Sequence, residues 1–468
     1  MFDTHAVDGA IRKIISNAHL PGVSVCVMNS EGTVFSRQYG VRDCAMQKPV
    51  TENTMFGIAS MSKSITALAL CLLECEGRLS IDDPVCKYFP AFRVPGNPRS
   101  AVTLRHLCMH TSGIPPMEPL EWSIAMNSHR RETPWLKQMR EESPNQMNTI
   151  EQVIDYIATS GYHTLGAPGE VMSYSNEGYA VLSYVADIAA GMKLEDYCRE
   201  KLFLPMGMAR TVMDDDCQAA RALSEGDITS LFERENGVTL ADDTWSILPP
   251  FRGCAMVKST ARDMARYYLC LAQNGMLDGK QVIPAAAVER LLGREYPAGA
   301  YDTYCLGLYK FARFGHVFCE HAGGLHGVSS KGALIRDLGY SFSVLCNQGD
   351  EDMDDILWVL YSAVLGLPLD TCYRRFAPTA EPFSDPEMLL GSFTGHEGVP
   401  EHLTVYQQAG QLRGKTNSRD FLLRYCGGTR FLGYRTESST VPCAKLEFLI
   451  RDGQSWGVRV GSRVFGRD

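Results

Sequence analysis

Ser60 and Lys63 are the residues whose types and spacing most directly suggest chemistry in this chain. A serine hydroxyl is a weak nucleophile until a neighbouring base takes its proton, and a lysine becomes such a base when burial or a nearby cation favours its neutral amine. Residues three apart on a helix share a face, so hydroxyl and amine can meet. Both lie in Gly57–Gly77, GIASMSKSITALALCLLECEG, where Ile65, Leu68, Ala69, Leu72 and Leu73 recur at helical spacing and Gly77 supplies the stop. Free N–H groups at the start of that helix also suit a developing oxyanion. A competing reading makes Ser60 an N-cap and Lys63 a solvated first-turn residue. Against it, no other lysine here has a serine three residues before it, and the following helix is too apolar for a surface.

An acyl-serine mechanism also needs a proton relay to the leaving group and a second N–H for the oxyanion. Gly166-Ala-Pro-Gly169-Glu-Val-Met-Ser-Tyr174-Ser-Asn176 holds the chain's only Tyr-x-Asn, set between a Pro-Gly turn and a helix start. Tyr174 could hydrogen-bond Ser60 and shuttle its proton; the alternative is a buried phenol that merely finds a partner. His321-Ala-Gly323-Gly324-Leu-His326-Gly327 ends a strand, and its small residues would admit a substrate backbone to the strand edge. Its alternative is a glycine-rich turn with incidental histidines. His106 and His110 raise a metal site, but no carboxylate or third histidine lies nearby in sequence and nothing resembles H-E-x-x-H. No metal and no cofactor is implied.

The elements that must position these residues follow from periodicity. Residues 6–18 read as a helix, and 23–28 with 33–39 as a β-hairpin. Helices are predicted at 103–110, 149–160, 178–191, 194–202, 259–274 and 353–365, and strands at 304–313, 316–320, 331–336 and 340–347. Residues 116–147 read as a lid or a surface excursion, and 214–243 as an acidic irregular loop insertion. Strands at both ends with helices between predict an α+β fold: one antiparallel sheet flanked by helices, with a helical subdomain. A hydrolase domain is expected over 1–376 and a Pro-rich linker over 377–385. Six short alternating segments then predict a small all-β barrel or sandwich over 386–468.

Composition narrows the function classes. The chain has 468 residues, a net charge of −9 and no basic stripe with interleaved aromatics, which argues against nucleic acid. Its longest apolar runs, 65–73 and 356–368, fall short of a membrane span, and no secretory signal is visible. Sixteen cysteines lie singly, mostly in apolar runs, without a C-x-x-C pair. They read as reduced thiols in a cytoplasmic protein.

Ser-Met-Ser-Lys at 60–63, Tyr-Ser-Asn at 174–176 and His-Ala-Gly at 321–323 resemble, in this order, the three motifs of the class C β-lactamase and penicillin-binding-protein-like serine hydrolases. The likeness extends to Leu104–Gly113 (LRHLCMHTSG), to PGEVMSYSNEGYAVLSYVADIAAG with LPMGMARTVM within 168–213, and to Ser259-Thr-Ala-Arg-Asp263. It covers nearly all of residues 10–365. The resemblance implies Ser60 as acylated nucleophile, Lys63 as base and Tyr174 as proton relay. It further implies Asn176 on the substrate amide, backbone N–H groups of Ser60 and Gly324 as oxyanion hole, and His321, with Gly323 beside it, where many relatives carry the lysine of K-T-G. A histidine there makes the carboxylate-anchoring cation missing or pH-dependent. That points to the family's esterases and D-amino-acid-type peptidases rather than to strong β-lactamase activity. Lys415-Thr416-Asn417 and His396-Glu-Gly398 mimic the third motif but fall in the tail, which itself resembles a small lipocalin-like domain. The expected partner is a small molecule or short peptide, with no membrane or nucleic acid and an unspecified oligomeric state. Acyl transfer to an amine or alcohol by the same acyl-serine, and a non-catalytic binding protein, are the alternatives.

Overall fold

The computed structural model describes residues 2–143, 147–235, 237–299, 303–397, 399–417 and 419–468. Eight strands form the central sheet, in the spatial order Tyr296–Pro297, Thr303–Tyr304, Tyr309–Arg313, His316–Leu325, Val328–Ile335, Tyr340–Cys346, Gly22–Asn29, Gly32–Gly40. Every pairing is antiparallel, and the two ends of the sequence meet where Val25 stands opposite Val344. Both faces of this sheet are covered. Val23, Val25 and Val27 pack with the terminal helices Thr4–Ala18 and Asp354–Leu365 through Val7, Ile11, Ile356 and Leu360. Cys26 and Met28 join the larger core on the other face, with Tyr268, Leu269 and the helix Ser62–Cys75. Burial on both sides is why 23–28 reads as an unbroken apolar run rather than an alternation.

The helix Ser62–Cys75 runs through that larger core, with every residue from Ser62 to Leu73 buried. It ends as the spacing predicts: Gly77 takes φ +72°, and the Arg78 N–H closes back on the Leu73 carbonyl. Thr103, Thr149, Ser175 and Thr260 cap the helices that follow them, each accepting a backbone N–H.

Two expectations are corrected. Residues 304–313 are not one strand: the chain turns between Tyr304 and Tyr309. At that turn Gly307 (φ +83°) lies so close to the helix Ser62–Cys75 that a Cβ would stand 2.8 Å from Ser64 Cα. Residues 214–243 are not irregular, for they hold the helix Gln218–Ser224 and a hairpin of Leu231–Glu235 with Val238–Asp242. Only Leu231 and Phe232 of that hairpin are buried, so a two-stranded ribbon with charged faces left little apolar alternation to read. Residues 116–147 carry two helices, Pro119–Asn127 and Pro134–Glu142, each opened by a proline; Pro144–Gln146 lie outside the described residues.

The C-terminal part is a closed eight-stranded barrel from Gly391 to Arg467. The six expected segments are joined by Gly391–Glu397 and Arg463–Arg467, which pair with each other and close it. Phe393, Phe421, Phe431, Phe448 and Phe465 fill the interior, and Gly414 and Gly433 leave room for the Phe421 ring. These side chains pack the lumen as a core. Gly398, in the second His-x-Gly mimic, lies outside the described residues. No helix among the described residues is long and apolar enough to cross a membrane.

Candidate active site

Ser60 sits in the tight turn Ala59–Met61 that leads into the helix, not at an N-cap. Ala59, just before it, is held at φ +44°, a left-handed conformation that costs a non-glycine residue on the order of 1–3 kcal/mol. The turn is fixed from two sides. The Ile58 N–H donates to the Val257 carbonyl, and the Ile58 carbonyl accepts from Ser330 Oγ at 2.8 Å. Strand His316–Leu325 presses on the same carbonyl. A Cβ on Gly323 would stand 2.1 Å from it, so only glycine lets strand and turn approach. The next residue, Gly324, would meet nothing within 4 Å and lines the same cleft as Ser60.

Lys63 is fully buried. Its Nζ donates to Ser60 Oγ at 3.1 Å, to Asn176 Oδ1 at 2.9 Å and to the Cys254 carbonyl at 3.2 Å. Asn176 is the first residue of the helix Asn176–Ala190, which Ser175 caps by accepting from the Gly178 N–H at 3.2 Å. The centre of the Tyr174 ring lies 4.8 Å from Lys63 Nζ. Three residues singled out from two distant stretches, Ser60 from one and Tyr174 and Asn176 from the other, are thereby gathered around one amine.

Successive side chains of a strand point to opposite faces, so His321 and Gly323 turn inward while Ala322 and Gly324 face out. His321 is buried beside Tyr174, the two ring centres 6.1 Å apart, and its Nε2 is 3.2 Å from Tyr304 Oη. Burial, reinforced by the Lys63 charge, pushes its pKa down to about 3, so it carries no charge at neutral pH. Of the pair weighed as metal ligands, His106 closes the capping box of Leu104–Cys108, while His110 turns inward at φ +57°. There His110 accepts the Ser175 N–H on Nδ1 at 3.1 Å and stacks its ring 4.2 Å from that of Tyr174. Burial first and Lys63 second hold His110 well below the usual imidazole range.

Two neutral histidines have a measurable consequence. In the unfolded chain both take up protons below about pH 6.5, and in the folded chain they do not. The unfolded state then binds more protons, so stability falls as pH drops below about 6.5, for His321 down to about 3. Each imidazole adds up to about 1.4 kcal/mol per pH unit to that slope. Urea midpoints at several pH values should show His321→Gln with a shallower loss than wild type; an unchanged slope contradicts the assignment.

The cleft holds about 970 Å³. Both insertions wall it: Leu120, Ile124, Trp135 and Leu136 from the helical one, Glu233, Leu240 and Asp242 from the hairpin. His326 ties the hairpin to the strand end, with Nδ1 2.9 Å from Glu233 and Nε2 3.2 Å from Asp242. The barrel reaches the site as well. Its final hairpin docks on the segment carrying Tyr174: the Tyr174 N–H donates to the Ser462 carbonyl at 2.9 Å, and the Val464 N–H to Ser173 Oγ at 3.1 Å. Arg463 then lines the cleft, its guanidinium 5.0 Å from the Tyr174 ring centre. Arg463, His110 and Tyr304 were not legible as site residues.

An α+β sheet with helices on both faces, and a Ser-x-x-Lys turn opening its central helix, is the architecture of a serine-hydrolase-like enzyme. A family model described as Beta-lactamase matches residues 7–364, and the chain belongs to that family of hydrolases. It is 31% identical to penicillin-binding protein 4* of Bacillus subtilis (strain 168) over 188 residues, 40% of this chain and 37% of that protein. The chain thus spans little more than a third of that relative. The octameric penicillin-binding protein homologue from Pyrococcus abyssi superposes with a TM-score of 0.67 at 21% identity over 99% of this chain and 100% of its own, sheet domain and barrel included. D-amino acid amidase from Ochrobactrum anthropi SV3, complexed with L-phenylalanine, gives 0.61 at 20% identity over 77% and 99%. At these identities the structural likeness is one of fold.

Proposed function

We propose that the chain is a serine hydrolase that forms an acyl-enzyme through Ser60 and cleaves a small amide, a D-amino-acid-type peptide or an ester. The observation that carries this reading is the 3.1 Å bond between Lys63 Nζ and Ser60 Oγ at the edge of an open cleft. Lys63 acts from its neutral form: two N–H groups stay on Asn176 Oδ1 and the Cys254 carbonyl, and the lone pair turned to Ser60 takes the hydroxyl proton as Oγ attacks the acyl carbon. The N–H groups of Ser60 and Gly324 meet the oxyanion, and Asn176 meets the substrate amide. The intermediate collapses by breaking the bond to the leaving amine or alcohol, which Tyr174 protonates while taking back the proton held on Lys63; water then hydrolyses the ester, giving its proton to the same pair as it attacks. His321 and Gly323 serve from behind, Gly323 by letting the strand reach the turn. The D-amino-acid preference is supported by the shared fold with the amidase named above.

In this reading residues 1–376 form the hydrolase domain, 377–385 the linker and 386–468 the barrel domain, and the sixteen free thiols fit a cytoplasmic setting. The test is intact-protein mass after brief exposure to a nitrophenyl ester and, separately, a penicillin. One acyl group is expected on wild type and none on Ser60→Ala; labelling of both, or of neither with either compound, overturns it.

With His321 neutral, a substrate carboxylate needs another cation, and Arg463 offers a permanent one. Arg463→Ala is expected to raise KM about tenfold or more for an acyl donor with a free carboxylate, the loss of one charge-assisted bond. KM for an uncharged ester should hardly move. Equal changes for both donors would remove Arg463 from substrate recognition.

A further inference from the structure

The chemistry above leaves unused a buried chain of polar groups behind Tyr174: His110, Tyr304 and His321. Its hydrogens are fixed from both ends. The Ser175 N–H donates to His110 Nδ1, so the neutral ring carries its own hydrogen on Nε2, which lies 3.2 Å from Tyr304 Oη. At the far end His321 Nδ1 is 2.5 Å from the Ala322 carbonyl oxygen. A carbonyl only accepts, so Nδ1 holds the hydrogen and Nε2 presents a lone pair, 3.2 Å from the same Tyr304 Oη. The phenol therefore accepts from one imidazole and donates to the other, and the bonds run one way. Tyr179, beside it, donates its hydroxyl to the Cys108 carbonyl at 2.8 Å, so toward Tyr304 it can only accept.

We propose that Tyr304 is a positioning residue for the acyl-serine chemistry: by joining the two imidazoles head to tail it locks each in one tautomer and holds the His110 ring against Tyr174. The kinetic part rests on the Ser60–Lys63 reading; the tautomer part does not. Protonating His321 would present a second N–H to an oxygen already accepting from His110, and would leave the Tyr304 hydrogen to find a new acceptor. It would also add a cation to a site that Lys63, Lys331 and Arg463 already make positive around the two rings. The other groups facing the pair are the phenols of Tyr174, Tyr179 and Tyr309. Glu320, adjacent to His321 on the strand, is taken up by Lys331 at 2.9 Å and by the Tyr361 hydroxyl at 2.8 Å. Without the Tyr304 hydroxyl, His321 Nε2 is a bare buried acceptor, both rings can flip, and the barrier to protonation falls.

Two measurements decide. In wild-type protein labelled with ¹⁵N-histidine, two-bond nitrogen–proton couplings should show His110 as the Nε2–H tautomer and His321 as Nδ1–H, assigned by the signals lost in His110→Gln and His321→Gln. The opposite tautomer at either ring overturns the proposal, whatever the turnover. In the second, Tyr304→Phe is expected to lower kcat about tenfold with KM nearly unchanged. It should also gain an acid limb in kcat/KM that disappears in Tyr304→Phe with His321→Gln. A Tyr304→Phe enzyme with lower kcat but the wild-type pH profile has lost only packing, which refutes positioning through the imidazoles. Absence of any wild-type turnover would count against the Ser60 reading, and the tautomers would still decide this one.

Discussion

Ser60→Ala is expected to lower kcat/KM for a nitrophenyl ester by a factor on the order of 10⁴–10⁶, while the variant melts within a few degrees of wild type. On the proposed mechanism the kinetic loss is large because the oxygen that forms the covalent bond is gone. The stability change is small because a single bond is lost, from Lys63 Nζ to Ser60 Oγ. Lys63 keeps Asn176 Oδ1 and the Cys254 carbonyl, and a typical hydrogen bond contributes about 1 kcal/mol net. Alanine also fits the turn, since the strained backbone belongs to Ala59. Nitrophenol release and thermal unfolding on the same preparation make the comparison. Turnover within tenfold of wild type would mean that another residue is acylated.

Lys63→Met should cost about 10²–10⁴ in the acylation rate, the range for a positioned proton acceptor, and leave a folded protein. Methionine keeps most of the stem volume and removes the charge. Replacing a buried ion by an apolar group of similar size is often neutral or stabilising. Two acceptors, Asn176 Oδ1 and the Cys254 carbonyl, then lose a donor at about 1–3 kcal/mol each, so the sum is a modest destabilisation. A stopped-flow trace of acylation, read beside a urea melt, separates the two effects. Near-normal acylation by Lys63→Met would transfer the role of base to Tyr174, whose ring lies against the same amine.

Sequence alone determined what is local. The 3.6-residue spacing of Ile65, Leu68, Leu72 and Leu73 fixes the helix Ser62–Cys75 and sets Lys63 in its first turn, while the turn that carries Ser60 is held by Val257, Ser330 and Gly323. Caps at Thr103, Thr149 and Thr260, the N-terminal hairpin and six of the eight barrel strands follow from the same short-range rules. Tertiary structure decided what depends on register and on which face a strand presents. One residue of strand phase turns His321 inward and Gly324 outward, and no local signal in a glycine-rich run sets that phase. His110 looked like half of a metal pair because its partners, the Ser175 N–H and Tyr304, are 65 and 194 residues away. Arg463 joins the cleft only because the last two barrel strands close on themselves and dock their turn against Tyr174. Contacts of that range are chosen by packing between finished elements, which composition and periodicity do not encode.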